Sequence, residues 1–215
     1  SSSSGGMFSA LSDYVLANQG VIFGAGYDED FRVCHKIAEN QKDRDEFKGS
    51  KYVQSDVGNI FIDVKRRLED NRLVLFTGTP CQIAGLKAYL RYQPYDNLIL
   101  CDLVCQGVPS PLVWADYVKF LKVRFKYELK KFEFRNKTKG WHNSCLLAEF
   151  ENGSIVYNSH ILDCYTSLFS QHNILRPSCY DCVFTNFRRP SDITIGDFWG
   201  IDRYKPHFDD DKGVS

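Results

Sequence analysis

Apolar residues fall into two spacings along this chain, helical and strand-like, and the order in which those spacings alternate sets the expected fold. Phe8, Leu11, Val15 and Leu16 share one face of a helix over Met7–Asn18, closed by Gly20, and Val21–Ala25 follows as a short buried strand. A second strand is expected around Val33–Ile37, with Cys34 among its residues. The charged stretch Gln41–Phe47 reads as the start of a helix or a loop, and Gly49–Ser55 as a polar turn led by glycine. Ile60, Phe61, Val64 and Leu68 make the apolar stripe of a helix over Val57–Asn71, with Lys65, Arg66 and Arg67 solvated. Leu73–Phe76 is an apolar strand that runs into Thr77-Gly78-Thr79-Pro80-Cys81, and Gln82–Tyr92 turns helical again through Ile83, Leu86 and Leu90. Asn97–Val104 is the next strand, and Leu112–Lys126 an amphipathic helix.

Strand and helix alternating in this way predict an α/β fold, a parallel sheet with crossover helices. From Leu129 the pattern changes. Lys130–Arg135 and Cys145–Phe150 alternate as strands, and Glu151-Asn152-Gly153-Ser154 is a hairpin turn into Ile155–Asn158. The expected organisation is an α/β part over 1–128 and a smaller α+β segment over 129–215 packed on it, together forming one integrated domain. Neither repeats nor low-complexity tracts interrupt the chain.

Charge and composition narrow the function classes. The 215 residues carry 27 basic and 27 acidic side chains, so no global field favours nucleic acid or an anionic membrane. The longest apolar stretches, such as Leu73–Phe76 and Leu98–Cys101, are far too short to form a transmembrane segment. The opening Ser1–Gly6 has neither the basic nor the apolar region of a secretory signal, and the chain reads as a fragment of a longer protein. Eight cysteines are too sparse for a disulfide scaffold in a chain of this size, and their placement near turns suits a reducing cytoplasmic setting and a metal or cluster site.

Cys179-Tyr180-Asp181-Cys182 is the strongest chemical signal, a CxxC able to grip a metal centre or form a redox disulfide. Cys81 follows Thr79, a helix-capping residue, and Pro80, which suits the first helical position; a thiolate there meets free N–H groups and the helix dipole. Cys105 ends the next strand, beside the turn Gln106-Gly107-Val108-Pro109. If the two strands are parallel neighbours, both sulfurs open at the carboxyl edge of the sheet, where α/β proteins bind ligands. Cys179 and Cys182 can arrive there from the second half, making a four-thiolate set suited to an iron–sulfur cluster or to zinc. Cys34, Cys145 and Cys164 read as small buried hydrophobes, and Cys101, alternating with Leu100 and Leu103, as packing.

Other signals are weaker. Gly78–Lys87 is a strand-to-helix turn that lacks the Lys-Ser/Thr end of a nucleotide P-loop and the GxGxxG fingerprint, although its N–H groups suit a flavin phosphate or an anionic cluster. Ser2–Gly6, ahead of a helix, offers a similar cradle, with Lys51 and Arg135 as counter-charges. Asp197 and Trp199 are expected to shape a turn, and His142 and His160 to be structural. Two further readings stay open: a non-enzymatic scaffold or partner-binding domain whose four cysteines hold structural zinc, and thiol–disulfide exchange at Cys179 and Cys182.

These residues bring out a resemblance. Ser3-Ser4-Gly5-Gly6, Gly49-Ser50-Lys51-Tyr52, Phe76–Gln82, Val104–Pro111, Arg176–Cys182 and Asp192–Gly200 are similar, in the same order, to motifs of the coenzyme F420 hydrogenase/dehydrogenase beta-subunit family. That family often has Cys-His-Gly where this sequence has Cys105-Gln106-Gly107, and many members carry an amino-terminal ferredoxin-like module that is missing here. The resemblance implies an oxidoreductase subunit with FAD and a 4Fe–4S cluster, relaying electrons between a two-electron carrier, such as a deazaflavin coenzyme, and one-electron iron–sulfur partners. It implies Cys81, Cys105, Cys179 and Cys182 as cluster ligands. Ser3, Ser4, Gly5, Gly6, Lys51, Tyr52, Gly78 and Thr79 would hold the flavin. A redox partner protein or ferredoxin-like module and a small-molecule electron carrier are the implied partners. No side chain stands out as an acid or base, as hydride and electron transfer require none.

Overall fold

The computed structural model describes residues 5–160, 162–209 and 213. Its order is α1 (Met7–Ala17), β1 (Val21–Tyr27), β2 (Val33–Ala38), α2 (Gln41–Asp45), α3 (Ile60–Glu69), β3 (Val74–Gly78), α4 (Pro80–Tyr89), β4 (Leu98–Leu103) and α5 (Pro111–Phe125). The second half adds β5 (Leu129–Asn136), β6 (Cys145–Phe150), β7 (Ile155–Asn158), α6 (Cys164–Ser170) and β8 (Ile193–Ile195). The fold is α/β. A five-stranded sheet in the order β2-β1-β3-β4-β8 lies beside a three-stranded antiparallel sheet in the order β5-β6-β7.

Within the larger sheet β1, β3, β4 and β8 are parallel, and only β2 runs antiparallel, paired with β1 from Ile22–Ala38 to Tyr27–Val33. The central strand β3 is apolar over most of its length because both of its faces are covered. On one side Val64, Leu68, Ile83 and Leu86 pack against Phe23 and Phe76. On the other, Val15 of α1 meets Ile22 and Leu75. Gly20 is small by necessity: a Cβ there would stand 2.5 Å from Val15 and 2.6 Å from the Leu73 carbonyl.

The expected elements are present with shifted ends. The helix anticipated over Val57–Asn71 spans Ile60–Glu69, and that anticipated from Gln82 begins at Pro80 and stops at Tyr89, just before two left-handed residues, Arg91 and Tyr92. The hairpin closes at Gly153, whose φ is 82°, with Phe150 N–H donating to the Ser154 carbonyl at 3.0 Å. Two elements carry no clear signal in the sequence. Helix α6 is capped by Asp163, which accepts from Thr166 N–H. Strand β8 has only three residues, yet it carries the chain back from the second half to pair with β4.

The smaller sheet packs around Trp114 of α5, buried with Phe132, Phe134, Tyr165 and Phe150. The Trp114 indole donates to the Phe31 carbonyl at 2.6 Å, which ties α5 to the β1–β2 turn. Among the described residues no helix is long and apolar enough to cross a membrane.

Candidate functional site: four cysteines at the carboxyl edge

Gly78 pairs with Asp102 where β3 and β4 end, and Cys81 and Cys105 each lie three residues beyond their member of that pair. Equal offsets on adjacent parallel strands bring both sulfurs to the same edge of the sheet. The CxxC segment is stitched to that edge by backbone. Pro109 and Leu175 form an antiparallel bridge, Arg176 N–H donates to the Val108 carbonyl at 2.9 Å, and Cys179 N–H donates to the Arg176 carbonyl at 2.8 Å. Gly107 makes the fit possible. Its φ is 124°, and a Cβ would meet Leu175 at 2.7 Å and the Cys179 Cβ at 3.4 Å.

The segments that carry the four candidate ligands therefore share one edge of the sheet. Burial pushes the Cys105 thiol above the ordinary cysteine range and the Gly107 N–H, 3.4 Å from the sulfur, pulls it back; Cys81, Cys179 and Cys182 all lie within electrostatic reach and add to the push. Cys81 is exposed, and the other three are half-buried. Among the described residues no three Cys, His, Asp or Glu side chains stand close enough to close on a single ion. The remaining cysteines differ in their surroundings. Cys101 is 1% exposed, with its thiol pushed by burial to about 12, and Cys145 is buried. Cys34 is only half-buried, and Cys164, expected inside, is exposed because it opens α6 immediately after its cap.

The segment that follows the CxxC is anchored by charge. The Arg189 guanidinium donates to Asp102 Oδ1 and to the Leu103 carbonyl, both at 3.0 Å, and to the Phe184 carbonyl at 3.1 Å. The Asp102 side chain is fully buried. Lys87 of α4 reaches the Pro190 carbonyl at 3.1 Å. Beyond β8, Asp197 does more than shape a turn. It pairs with Arg135 of β5 at 2.6 Å, the Arg135 guanidinium lies 5.7 Å from the centre of the Trp199 ring, and Trp199 stacks on Trp141 at 4.3 Å.

The expected flavin residues are dispersed. Ser3 and Ser4 lie outside the described residues. Gly5 precedes Gly6, which is left-handed at the start of α1; the short link from α1 to β1 makes that helix antiparallel to the strand and turns its amino end toward the carboxyl edge. Lys51 lines a cavity of about 50 Å³ together with Lys48, Gly49, Ser50, Tyr27, Arg135 and the carboxylate Glu133, so the two expected counter-charges share one pocket with an acidic group. The Lys51 amine donates to the carbonyls of Glu46, Lys48 and Gly49. Burial draws its pKa down to about 7. Tyr52 stacks on Phe169 at 4.8 Å and leans on Phe134. Thr79 N–H is already taken, donating to Gln82 Oε1 at 3.0 Å, and Gly78 is buried at the end of β3, paired with Asp102.

His35 has no signal in the sequence beyond its place in a strand. It is 6% exposed, stacks on Phe76 at 5.3 Å, and bridges Ser55 Oγ at 2.7 Å and the Thr77 carbonyl at 3.0 Å. Burial lowers its pKa to about 4, so the folded ring stays neutral where the unfolded ring, near 6.5, takes a proton. The unfolded state thus binds the proton first, and stability falls as pH drops from about 6.5 to about 4, by up to about 3 kcal/mol from this group. Urea denaturation across that range is expected to give a His35→Asn protein whose acid slope is flatter by up to about 1.4 kcal/mol per pH unit. Parallel slopes in the two proteins would assign the effect to another group.

Comparison with known proteins agrees with this architecture. The family model for the carboxyl-terminal part of the beta subunit of coenzyme F420 hydrogenase/dehydrogenase matches residues 71–215. Among solved structures, a chain of the F420-reducing NiFe hydrogenase complex from Methanosarcina barkeri, in a xenon-derivatised form, superposes with a TM-score of 0.53 at 18% identity. The match covers 84% of this chain and 60% of that one, a likeness of fold. No curated protein sequence matches.

Proposed function

From the premise that this chain belongs to the coenzyme F420 hydrogenase/dehydrogenase beta-subunit family, a family of oxidoreductase subunits, we propose that it is a flavin- and iron–sulfur-dependent electron-relay subunit. The ligands of its 4Fe–4S cluster are Cys81, Cys105, Cys179 and Cys182. The observation that supports this reading is the meeting of three separate segments at one sheet edge, with Cys81, Cys179 and Cys182 within electrostatic reach of Cys105. A donor set of four thiolates fits such a cluster. Zn–S bonds of about 2.3 Å would draw the same sulfurs to about 3.8 Å from one another, whereas a cluster held at its corners takes a wider set. The exposure of Cys81 puts the site at the surface, where single electrons can pass to a partner.

The fit to FAD is narrower. The pocket of Lys51 and Arg135 accommodates an anionic group of phosphate size, not a three-ring system, against the hundreds of cubic ångströms common for cofactor sites. In this reading Arg135, shared with Asp197, supplies the positive charge beside that anion, Lys51 lines the pocket with its amine already bonded to three carbonyls, and Gly5 and Gly6 offer backbone at the start of α1. When bound, FAD supplies the exchange of a hydride with a two-electron carrier and of single electrons with iron–sulfur centres; the protein binds and orients it. A redox partner protein or ferredoxin-like module, a deazaflavin-type carrier and a cytoplasmic location complete the proposal. All eight cysteines are free thiols, as a reducing compartment would keep them.

Anaerobic purification with iron, sulfide and flavin analysis tests it. A brown protein with about four irons per chain, bound flavin and visible absorption that bleaches on reduction is the expected result. Stoichiometric zinc without iron or flavin would overturn the proposal. Cys164→Ala is expected to leave iron content within about a tenth of the parent's, because that thiol lies outside the proposed ligand set; loss of iron there would mean a different ligand list.

A further inference from the structure

We infer that Thr79 is the hydrogen-bond donor to the Cys81 sulfur, and that Gln82, Ser55 and His35 are positioning residues that hold it in place; the inference rests on the iron–sulfur reading only for its effect on redox potential. The Thr79 hydroxyl lies 3.1 Å from Cys81 Sγ and, beside a free thiol, donates to Gln82 Oε1 at 3.1 Å. A hydroxyl has one proton to give. A ligated sulfur has none, and as a thiolate it is a stronger acceptor than the Gln82 amide oxygen, which already holds the Thr79 N–H; once Cys81 is a ligand the Thr79 proton therefore turns from Gln82 Oε1 to the sulfur.

The direction of every other bond in the set follows from one end. The Thr77 carbonyl can only accept, so the His35 nitrogen 3.0 Å from it, Nε2, carries the proton. The buried ring is neutral, so Nδ1 carries none and accepts from the Ser55 hydroxyl at 2.7 Å. The Ser55 oxygen, its proton spent, accepts from Gln82 Nε2 at 2.9 Å. That fixes the Gln82 amide with Oε1 toward Thr79, where it accepts the backbone N–H at 3.0 Å. A chain of four bonds thus runs from the Thr77 carbonyl near the end of β3, through β2 and the segment before α3, back to the Thr79 amide of the same turn. It clamps Gly78-Thr79-Pro80-Cys81 at both ends. Gly78 is pressed into the clamp: a Cβ on it would lie 3.0 Å from Gln82 Oε1 and 3.4 Å from His35 Nε2.

A hydrogen bond to a ligand sulfur stabilises the reduced, more negative state of a cluster and so raises its potential. Two arms test the inference. In anaerobic redox titration of the iron-loaded protein, followed by visible absorption and by the resonance signal of the reduced cluster, Thr79→Val is expected to shift the midpoint downward and Thr79→Ser to restore it. A parent-like midpoint in Thr79→Val overturns the donor role, and so does equal loss of iron in Thr79→Val and Thr79→Ser, which would make Thr79 merely structural. The second arm needs no cofactor. Hydrogen exchange of the Thr79 amide in metal-free protein is expected to be at least tenfold faster in Gln82→Asn than in the parent, and equal rates overturn the clamp. A parent protein without iron would sink the reading of Proposed function, while the clamp is still decided by exchange.

Discussion

Cys182→Ala is expected to yield a folded protein that has lost at least nine tenths of its iron. Three thiolates cannot close the fourth corner of a cluster, and water is a poor substitute for sulfur at iron. The fold should survive, because the turn at this position is made by backbone. The Cys182 carbonyl accepts from the Thr185 hydroxyl at 2.9 Å, and that bond is indifferent to the side chain. The half-buried sulfur also contributes little apolar area of its own. Iron and sulfide per chain, read beside the far-ultraviolet circular dichroism spectrum, separate the two effects. Parent-like iron in a folded Cys182→Ala protein would remove this residue from the ligand set, and with it the argument from the shared edge.

Arg189→Met is expected to cost about 3–5 kcal/mol in stability, the usual penalty for stranding one member of a buried ion pair. The pair is asymmetric. Asp102 is fully buried whereas Arg189 retains some exposure, so removal of the arginine leaves a carboxylate with neither water nor counter-charge. Asp102 Oδ2 already lacks a hydrogen-bond partner among the described residues, which concentrates the burden on the bond from Arg189 to Oδ1. Methionine keeps much of the arginine stem, so the loss reports charge and hydrogen bonds rather than packing. Adding Asp102→Asn to Arg189→Met should recover a large part of the loss, because the stranded charge is then gone. Urea denaturation of the parent, the single variant and the double variant measures both. A single-variant loss below about 1 kcal/mol would show that the segment after the CxxC is held by its other contacts.

The sequence was legible where burial is local. Ile60, Val64 and Leu68 announce the buried face of α3 by spacing alone, and Leu73–Phe76 announces a strand covered on both sides by being apolar throughout. The turn chemistry was equally plain: Pro80 at the first helical position, Gly153 in the hairpin. Cys81 and Cys105 could be assigned to one edge because parallel neighbours end together. What could not be read is equally specific. Strand β8 is three residues in a polar setting, Ser191-Asp192-Ile193-Thr194-Ile195-Gly196-Asp197, too short for its alternation to register, and it is a strand only because β4 offers an open edge. The bonds Asp192 makes to Leu100, one from its backbone N–H and one to its side chain, fix that register.

His35 shows the same limit for side chains. In the sequence it alternates with Cys34 and Lys36 like any strand residue. Its partners, Ser55 and Thr77, lie 20 and 42 positions away, and only their meeting gives the ring a tautomer and the Gln82 amide a direction. Arg189 with Asp102, and Arg135 with Asp197, are likewise pairs drawn from distant segments.

The order of helices and strands, their buried faces and the identity of the candidate sulfur donors were thus determined by the sequence itself, because each depends on residues within one or two turns of one another. The tertiary structure alone decided that the CxxC segment reaches the sheet edge of Cys81 and Cys105, that β8 closes the sheet beside β4, and that a buried neutral histidine clamps the Cys81 turn. Those outcomes depend on which distant surfaces bury one another and which buried polar groups must then find partners. Such a balance is settled by the sum of long-range contacts and leaves no period in the chain.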